Sequence, residues 1–280
     1  MKHEDANREA VITYYTGFGE REWNRLDWES LEFTVNLHYM KQYLPPAGSV
    51  LDNGAGPGKY AMHFAALGYE LTLTDLTPSL VALAQGKAEE RGLTARFSGG
   101  FHVRDACDLF SFETERFDAA FMMGPLYHLQ EEQSRIQAVR ELHRVVKPGG
   151  IVCVAFRSRA NQLMNALRMP EHWKPLNNIE RLEGFMADGR FDHEDAGRYT
   201  GAYFYPLAEI EPFMTTNGFE TLELIGSTNL GAVLRPEEWQ YWESKGEASY
   251  KKLIDLLIRQ ARDPSLLGMS SHLLYIGRRV

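Results

Sequence analysis

The run Val50-Leu51-Asp52-Asn53-Gly54-Ala55-Gly56-Pro57-Gly58 constrains this chain more than any other. An apolar stretch, Ser49 to Leu51, meets an acidic residue; glycines then alternate with other residues, and an amphipathic stretch from Tyr60 to Leu67 follows. That order reads strand, tight turn, helix. Glycine permits positive φ and lets a ligand approach the main chain closely. The helix that follows presents free N–H groups at its start. Spacing then narrows the ligand. A dinucleotide fingerprint requires G-x-G-x-x-G. Gly54 and Gly56 fit it, but Lys59 occupies the third position and the glycine falls one residue early, at Gly58. A pyrophosphate site is therefore disfavoured, and without G-K-[ST] there is no Walker A loop.

The alternation continues downstream. Tyr69 to Thr74 alternates apolar and polar residues, as a strand does, and ends at Asp75. Leu76-Thr77-Pro78 opens the next helix, with Thr77 as N-cap and Pro78 at the first helical position. An acidic residue at the end of such a second strand can accept hydrogen bonds from both hydroxyls of a ribose; the alternative is a turn aspartate. Phe101 to Asp108 reads as a third strand running into an acidic loop. Phe117 to Leu129 is an apolar strand that enters a Gly124-Pro125 turn and a Tyr127-His128 pair. A helix with Ile136, Val139, His143 and Val146 on one face is stopped by Lys147-Pro148-Gly149-Gly150, and a buried strand, Ile151 to Phe156, follows.

These five stretches, in this order over about residues 48–156, resemble the class I S-adenosylmethionine-dependent methyltransferases, small-molecule type. The glycine turn resembles their motif I, (D/E)-x-G-x-G-x-G, and Gly124-Pro125-Leu126-Tyr127-His128-Leu129 resembles motif IV of members acting on small molecules. It lacks the (D/N)-P-P-(Y/F) tetrapeptide of nucleic-acid and glutamine N-methyltransferases. The resemblance implies a doubly wound, Rossmann-like α/β fold: a seven-stranded sheet, mostly parallel with an antiparallel last strand, plus a small cap. It implies S-adenosyl-L-methionine as cofactor, bound by Asp52, Gly54, Gly56, Pro57, Gly58, Asp75, Leu76, Asp105, Ala106, Met123 and Gly124. In that reading Asp75 holds the ribose, Asp105 reaches the adenine amino group with Asp108 as a weaker alternative, and motif IV lies beneath the reactive methyl group.

Composition sets the partners. The net charge of −8 repels phosphate backbones, so DNA and large RNA are disfavoured, while a small neutral or cationic substrate remains open. No apolar run approaches the roughly 20 residues of a membrane span, and the polar start carries no signal-type segment. Cys107 and Cys153 fall in or beside core strands without metal-ligand spacing, as suits a reducing cytoplasm. A monomer or homodimer is expected, with no metal. Asp192-His193-Glu194-Asp195 reads as a solvated acidic loop rather than a hard-metal site.

The chain divides into an N-terminal segment, 1–30, loosely patterned and rich in aromatics (Tyr14, Tyr15, Phe18, Trp23, Trp28); a cofactor-binding core, 31–156; a cap insertion, 157–205; and a C-terminal part of the sheet, 206–280. The core opens on a helix with Phe33, Leu37, Met40 and Leu44 on one face, stopped by Pro45-Pro46. The C-terminal part reads as a helix from Pro206 to Asn217, a strand from Phe219, one helical stretch over 236–262, and a final strand from Ser271.

Methyl transfer from a sulfonium is an in-line displacement. The protein aligns two partners and excludes water, and a base helps only when the nucleophile arrives protonated. His128 is the base candidate, since histidine titrates near neutrality; the alternative is that it packs beneath the next helix or contacts the adenine side. Tyr14, Tyr15, Tyr127 and Tyr203 are candidates for contact with the substrate, and the aromatic cluster Tyr199, Tyr203, Phe204 and Tyr205 assigns acceptor choice to the cap. For Tyr14, Tyr15 and the cap aromatics, ordinary core packing is the alternative.

Overall fold

The computed structural model describes residues 2–195, 197–199 and 201–280, the side chains of residues 2–5 and Trp28 excepted. The Trp28 ring and the acidic side chains at the start of the chain thus lie outside the described residues.

The strands are β1 (Ser49–Asn53), β2 (Glu70–Asp75), β3 (Phe101–Val103), β4 (Phe117–Met122), β5 (Val146–Arg157), β6 (Arg190–Phe191), β7 (Ala202–Tyr203), β8 (Phe219–Gly226) and β9 (His272–Arg279). Seven of them form one sheet in the order β3-β2-β1-β4-β5-β9-β8. The pairs from β3 to β5 are parallel, and β9 runs antiparallel to both β5 and β8. This is the doubly wound sheet with an antiparallel last strand. The strand order reverses between β1 and β4, which opens a crevice at their carboxyl ends, the general ligand position of such folds.

The helices are α1 (Lys2–Phe18), α2 (Glu20–Trp28), α3 (Ser30–Tyr43), α4 (Lys59–Ala66), α5 (Pro78–Glu90), α6 (Glu132–Val145), α7 (Arg159–Arg168), α8 (Ile179–Asp188), α9 (Leu207–Thr216), α10 (Pro236–Glu243), α11 (Glu247–Gln260) and the short α12 (Pro264–Leu267). They cover both sheet faces. Val35, Met40, Phe64, Leu73, Phe121 and Ile276 build one core; Leu51, Phe117, Val139, Leu142, Phe156 and Tyr275 build the other. Each fully buried aromatic or aliphatic side chain there contributes about 1.5–3 kcal/mol of hydrophobic stabilisation. Burial on both faces explains why β1 and β4 read as near-continuous apolar runs. In β2 the polar positions Thr72 and Thr74 are buried as well. Thr74 resolves this by donating from Oγ1 to Asn53 Oδ1 at 2.9 Å.

Several elements depart from the expectation. Residues 2–28 form two helices rather than a loose segment. Val146 begins β5 instead of ending α6, and the Lys147–Gly150 stop lies inside the strand, where the register with β4 shifts between Phe117 and Ala119. Gly150 is required there, since a Cβ would stand 2.9 Å from the Asp118 carbonyl oxygen. The stretch 236–262 is two helices broken at Ser244–Gly246, where Gly246 takes φ +88°. The cap holds α7, α8 and the small β6–β7 sheet around a core of Leu182, Phe185, Phe191 and Phe204. Among the described residues, no helix is long and apolar enough to cross a membrane.

Candidate functional site

A cavity of about 320 Å³ opens at the carboxyl ends of β1, β2 and β4, roofed by α1 and α2. Its size falls at the lower end of the range for small-molecule sites, about 300–1,000 Å³.

The glycine turn forms one wall, and its three glycines do different work. Gly54 is fixed by contact, because a Cβ would fall 1.9 Å from Pro125 Cγ. Gly58 caps α4 in the left-handed region, and its Cβ would press Leu73 at 2.8 Å. Gly56, on the lining with Gly54, alone of the three leaves its Cβ position open: at φ +56°, a Cβ would meet nothing nearer than Glu22 Cγ at 3.8 Å and Leu80 Cδ1 at 3.9 Å. The turn is held to β2 by Gly54 and Ala55 N–H groups, which donate to the Thr74 carbonyl at 2.8 and 2.9 Å.

Asp75 stands beside it. Its Oδ2 accepts from Gly56 N–H at 2.7 Å and its Oδ1 from Thr77 N–H at 2.8 Å. Burial raises its pKa, and these N–H donors oppose the rise. Leu76 and Thr77 continue the wall. Asp105 and Ala106 form the next part. Asp105 Oδ1 accepts from Cys107 N–H at 2.8 Å, and its Oδ2 pairs with Arg8 Nε of α1 at 2.6 Å. Asp108 lies outside the lining and accepts from Phe110 N–H at 3.3 Å.

Met123, Gly124 and Pro125 form the floor, and Tyr127 and His128 stand at its end. Tyr15 Oη reaches His128 Nε2 at 2.8 Å, and Asn7 Nδ2 donates to the His128 carbonyl at 3.0 Å. The roof helix α1 therefore touches both the Asp105 end and the His128 end. Burial holds the Tyr15 and Tyr127 phenols above their usual range.

Four expected residues sit elsewhere. Asp52 is buried below the turn, outside the lining. Its oxygens have no well-aligned hydrogen bond despite the Ala61 N–H nearby, and burial pushes its pKa up to about 7, with Asp75 adding repulsion. Gly58 packs, as above. Tyr14 stacks on Phe18 at 5.5 Å and meets Tyr15 and Tyr199 edge-on, outside the lining. Tyr203 is likewise outside it, in core packing: its ring lies 3.5 Å beneath the Arg135 guanidinium and meets Tyr205 edge-on at 4.7 Å. The acidic loop is tied into the cap, with Asp192 accepting from Gly201 N–H and Gln130, and His193 Nδ1 accepting from Asp195 N–H.

Sequence reading missed Asn7, Arg8, Glu22 and Arg25, all on the lining. Arg25 Nε pairs with Glu22 at 2.9 Å, and its Nη1 with Glu29 at 2.7 Å and Glu32 at 3.7 Å. Burial works against the charge on Arg25, and these carboxylates outweigh it, holding the guanidinium protonated. The available signal was the spacing of Glu22, Arg25 and Glu29 on one helical face. In isolation such a pattern looks like a solvated surface.

Residues 50–150 match the family described as "Methyltransferase domain". A ubiquinone biosynthesis O-methyltransferase of Xanthomonas axonopodis pv. citri is 35% identical over 117 residues, 41% of this chain and 46% of the relative. A tRNA (carboxymethyluridine(34)-5-O)-methyltransferase of Arabidopsis thaliana is 31% identical over 138 residues, 48% of this chain and 29% of the relative. The chain thus spans about half, or less, of the length of these curated relatives. Among solved structures, the Burkholderia thailandensis 1,6-didemethyltoxoflavin-N1-methyltransferase, itself bound to 1,6-didemethyltoxoflavin and S-adenosylhomocysteine, superimposes with a TM-score of 0.57 at 16% identity, covering 100% of this chain and 91% of that one. That likeness establishes the fold. Residues 50–150 thus match a methyltransferase domain, and the strand order and the glycine turn closing on Asp75 give that stretch a Rossmann-like frame.

Proposed function

We propose that this protein transfers a methyl group from S-adenosylmethionine to a small-molecule acceptor by in-line displacement. The observation that carries the reading is the junction of Gly56 and Asp75 on the cavity wall: an open Cβ position beside a buried carboxylate. The residues present fit the donor. Asp75 would accept from the ribose hydroxyls, Leu76 and Ala106 would flank the base, and Asp105 would accept from the adenine amino group. The ionic end of the donor would meet the Glu22–Arg25 pair, and Met123 and Gly124 would lie beneath the sulfonium. When bound, the donor supplies an electrophilic methyl group.

The chain's own residues do the rest. Alignment supplies several kcal/mol, up to roughly 7–11 in ideal intramolecular cases. The roof helices exclude water, and Tyr15 holds the His128 ring at Nε2 for an acceptor that must lose a proton. A net charge of −8 favours a small acceptor over tRNA, although one relative is named for tRNA. The free cysteines suit a reducing, cytoplasmic setting. A nicotinamide oxidoreductase is disfavoured because Lys59, at the third fingerprint position, pairs with Asp27 at 2.8 Å.

The test is calorimetric titration with S-adenosylhomocysteine and with NAD. S-adenosylhomocysteine is expected to bind at micromolar concentration, about −8 kcal/mol. Asp75→Asn should weaken it by about 1.5–3 kcal/mol, the scale of hydrogen bonds to a charged group. Tight NAD binding with no response to S-adenosylhomocysteine would refute the proposal. Methyl consumption over an acceptor panel then separates an enzyme from a non-catalytic binding module.

A further inference from the structure

Arg25 stands on the cavity lining with its guanidinium only partly engaged. Nε donates to Glu22 at 2.9 Å and Nη1 to Glu29 at 2.7 Å, while Nη2 makes no hydrogen bond among the described residues. A planar guanidinium with a free nitrogen on one edge is a donor suited to a ligand carboxylate. Such a side chain is long, and it serves a ligand only if something holds it in place.

The three carboxylates around it differ in what they can hold. Glu29 is 49% exposed, and exposed pairs contribute little because water and side-chain entropy compete with them. Glu22 shares the roof helix α2 with Arg25 and lines the cavity itself. Glu32 is of another kind. It lies in the first turn of α3, is 5% exposed, and brings Oε1 to 3.7 Å from Arg25 Nη1. Its Oε2 stands 2.9 Å from Nδ1 of His272, the first residue of β9. Burial opposes its ionisation, but His272 and Arg25 outweigh that and hold its pKa down at about 2. Glu32 is therefore a fixed anion between the sheet and the roof.

Glu32 lies outside the cavity lining, so it acts on a ligand through Arg25. His272 closes the arrangement from behind, with its ring 5.6 Å from that of Tyr127, which does line the cavity. A buried chain thus runs from β9 through His272 and Glu32 to Arg25.

We infer that Glu32, anchored by His272, is a positioning residue that holds the Arg25 guanidinium ready for the carboxylate at the amino-acid end of the methyl donor. The inference rests on the methyl-transfer reading. Positioning and field have different signs here. A negative charge behind Arg25 repels a ligand carboxylate, so by field alone its removal would leave binding unchanged or tighter. Loss of an anchor weakens binding instead.

The experiment titrates the full chain with S-adenosylhomocysteine and with 5′-methylthioadenosine, which keeps the nucleoside and the thioether but lacks the amino-acid end. In Glu32→Gln the first ligand should bind about ten-fold more weakly, the scale of one charged hydrogen bond, and the second should stay within about two-fold. His272→Asn removes the anchor and leaves Glu32, so it should give a smaller loss in the same direction. The double variant should lose no more than Glu32→Gln alone, because both act on one chain of contacts. Glu29→Gln makes the same charge change on the exposed side and should leave both affinities within about two-fold. Unchanged or tighter S-adenosylhomocysteine binding in a Glu32→Gln protein overturns the positioning role, and so does an equal loss of both ligands. If Glu32→Gln fails to fold by circular dichroism, His272→Asn decides: a loss confined to S-adenosylhomocysteine supports the role and unchanged affinity overturns it. A parent chain that binds both ligands equally overturns the role of Arg25 and Glu32 alone. A parent chain that binds neither overturns the methyl-transfer reading and this role with it.

Discussion

Substituting the three turn glycines one at a time separates ligand binding from folding. At Gly56 the backbone sits at φ +56°, so a side chain there costs about 1–3 kcal/mol. Nothing else in the fold resists it, because the nearest atoms stand 3.8 and 3.9 Å from the Cβ position. Gly56→Val should therefore fold, with a melting temperature lowered by about 3–10 °C. Its side chain would enter the cavity, and overfilling a close-packed space costs about 1–3 kcal/mol, or about five-fold to more than a hundred-fold in Kd. Gly54→Ala behaves in the opposite way. Its methyl would stand 1.9 Å from the Pro125 ring, so stability should fall before binding can be read. Gly58→Ala presses Leu73 at 2.8 Å and should cost stability while sparing affinity in the folded fraction. Thermal melts and S-adenosylhomocysteine calorimetry on the three variants test the scheme. A folded Gly56→Val protein that binds within a few-fold of the parent would refute the turn as the cofactor cradle.

Three further substitutions address the other buried groups. His128→Asn should reduce turnover about 10²–10⁴-fold if an acceptor proton is taken there, with S-adenosylhomocysteine affinity within a few-fold; Tyr15→Phe, which removes the 2.8 Å contact, should shift the pH profile and reduce kcat only about 3–10-fold, and unchanged kinetics in both would remove the dyad from the chemistry. Asp52 retains its proton in the native state up to about pH 7, whereas the unfolded chain releases it near pH 4. Stability should therefore fall as pH rises through that window, by up to about 4 kcal/mol, and level off above it. Asp52→Asn should flatten the decline between pH 5 and 7.5, and an identical slope in denaturant titrations of both proteins would contradict the assignment.

The sheet was legible because its signals are local. Each of β1, β2 and β4 announces itself within a dozen residues, through an apolar run closed by glycine, aspartate or proline. Gly54, Gly56, Asp75 and Gly124 stand at those boundaries, Asp105 came from the family resemblance, and all reach the cavity. The roof was not legible. Asn7 and Tyr15 find their partner, His128, more than a hundred residues away, and Arg8 finds Asp105. A helix whose face is turned to a ligand cavity carries polar residues there, so α1 lacks the apolar stripe that marks a core-facing helix, whereas α2 buries Trp23 and Leu26 and turns Glu22 and Arg25 to the cavity. Segment length misled at 236–262, where continuous helical spacing hid a break at Ser244–Gly246.

The cap aromatics show how the same residue type divides between packing and recognition. Tyr203 and Tyr205 share the core with Phe156 and Ile210, beneath the Arg135 guanidinium, and Phe204 closes the cap's own core against Phe185. Arg135 in turn donates to the carbonyls of Leu129 and Gln130, at 2.9 and 2.7 Å, immediately after the His128 turn. The cluster thus joins the cap to the site without reaching the cavity. Its substitution would disturb His128 only by unsettling the segment that holds it, a stability effect that appears as lost activity. Tyr199 is the exception within the cluster: its ring lies 5.3 Å from His128 and 4.9 Å beneath the Arg157 guanidinium. Contact with the His128 end of the site therefore passes from the cap aromatics as a group to Tyr199, Tyr15 and Tyr127.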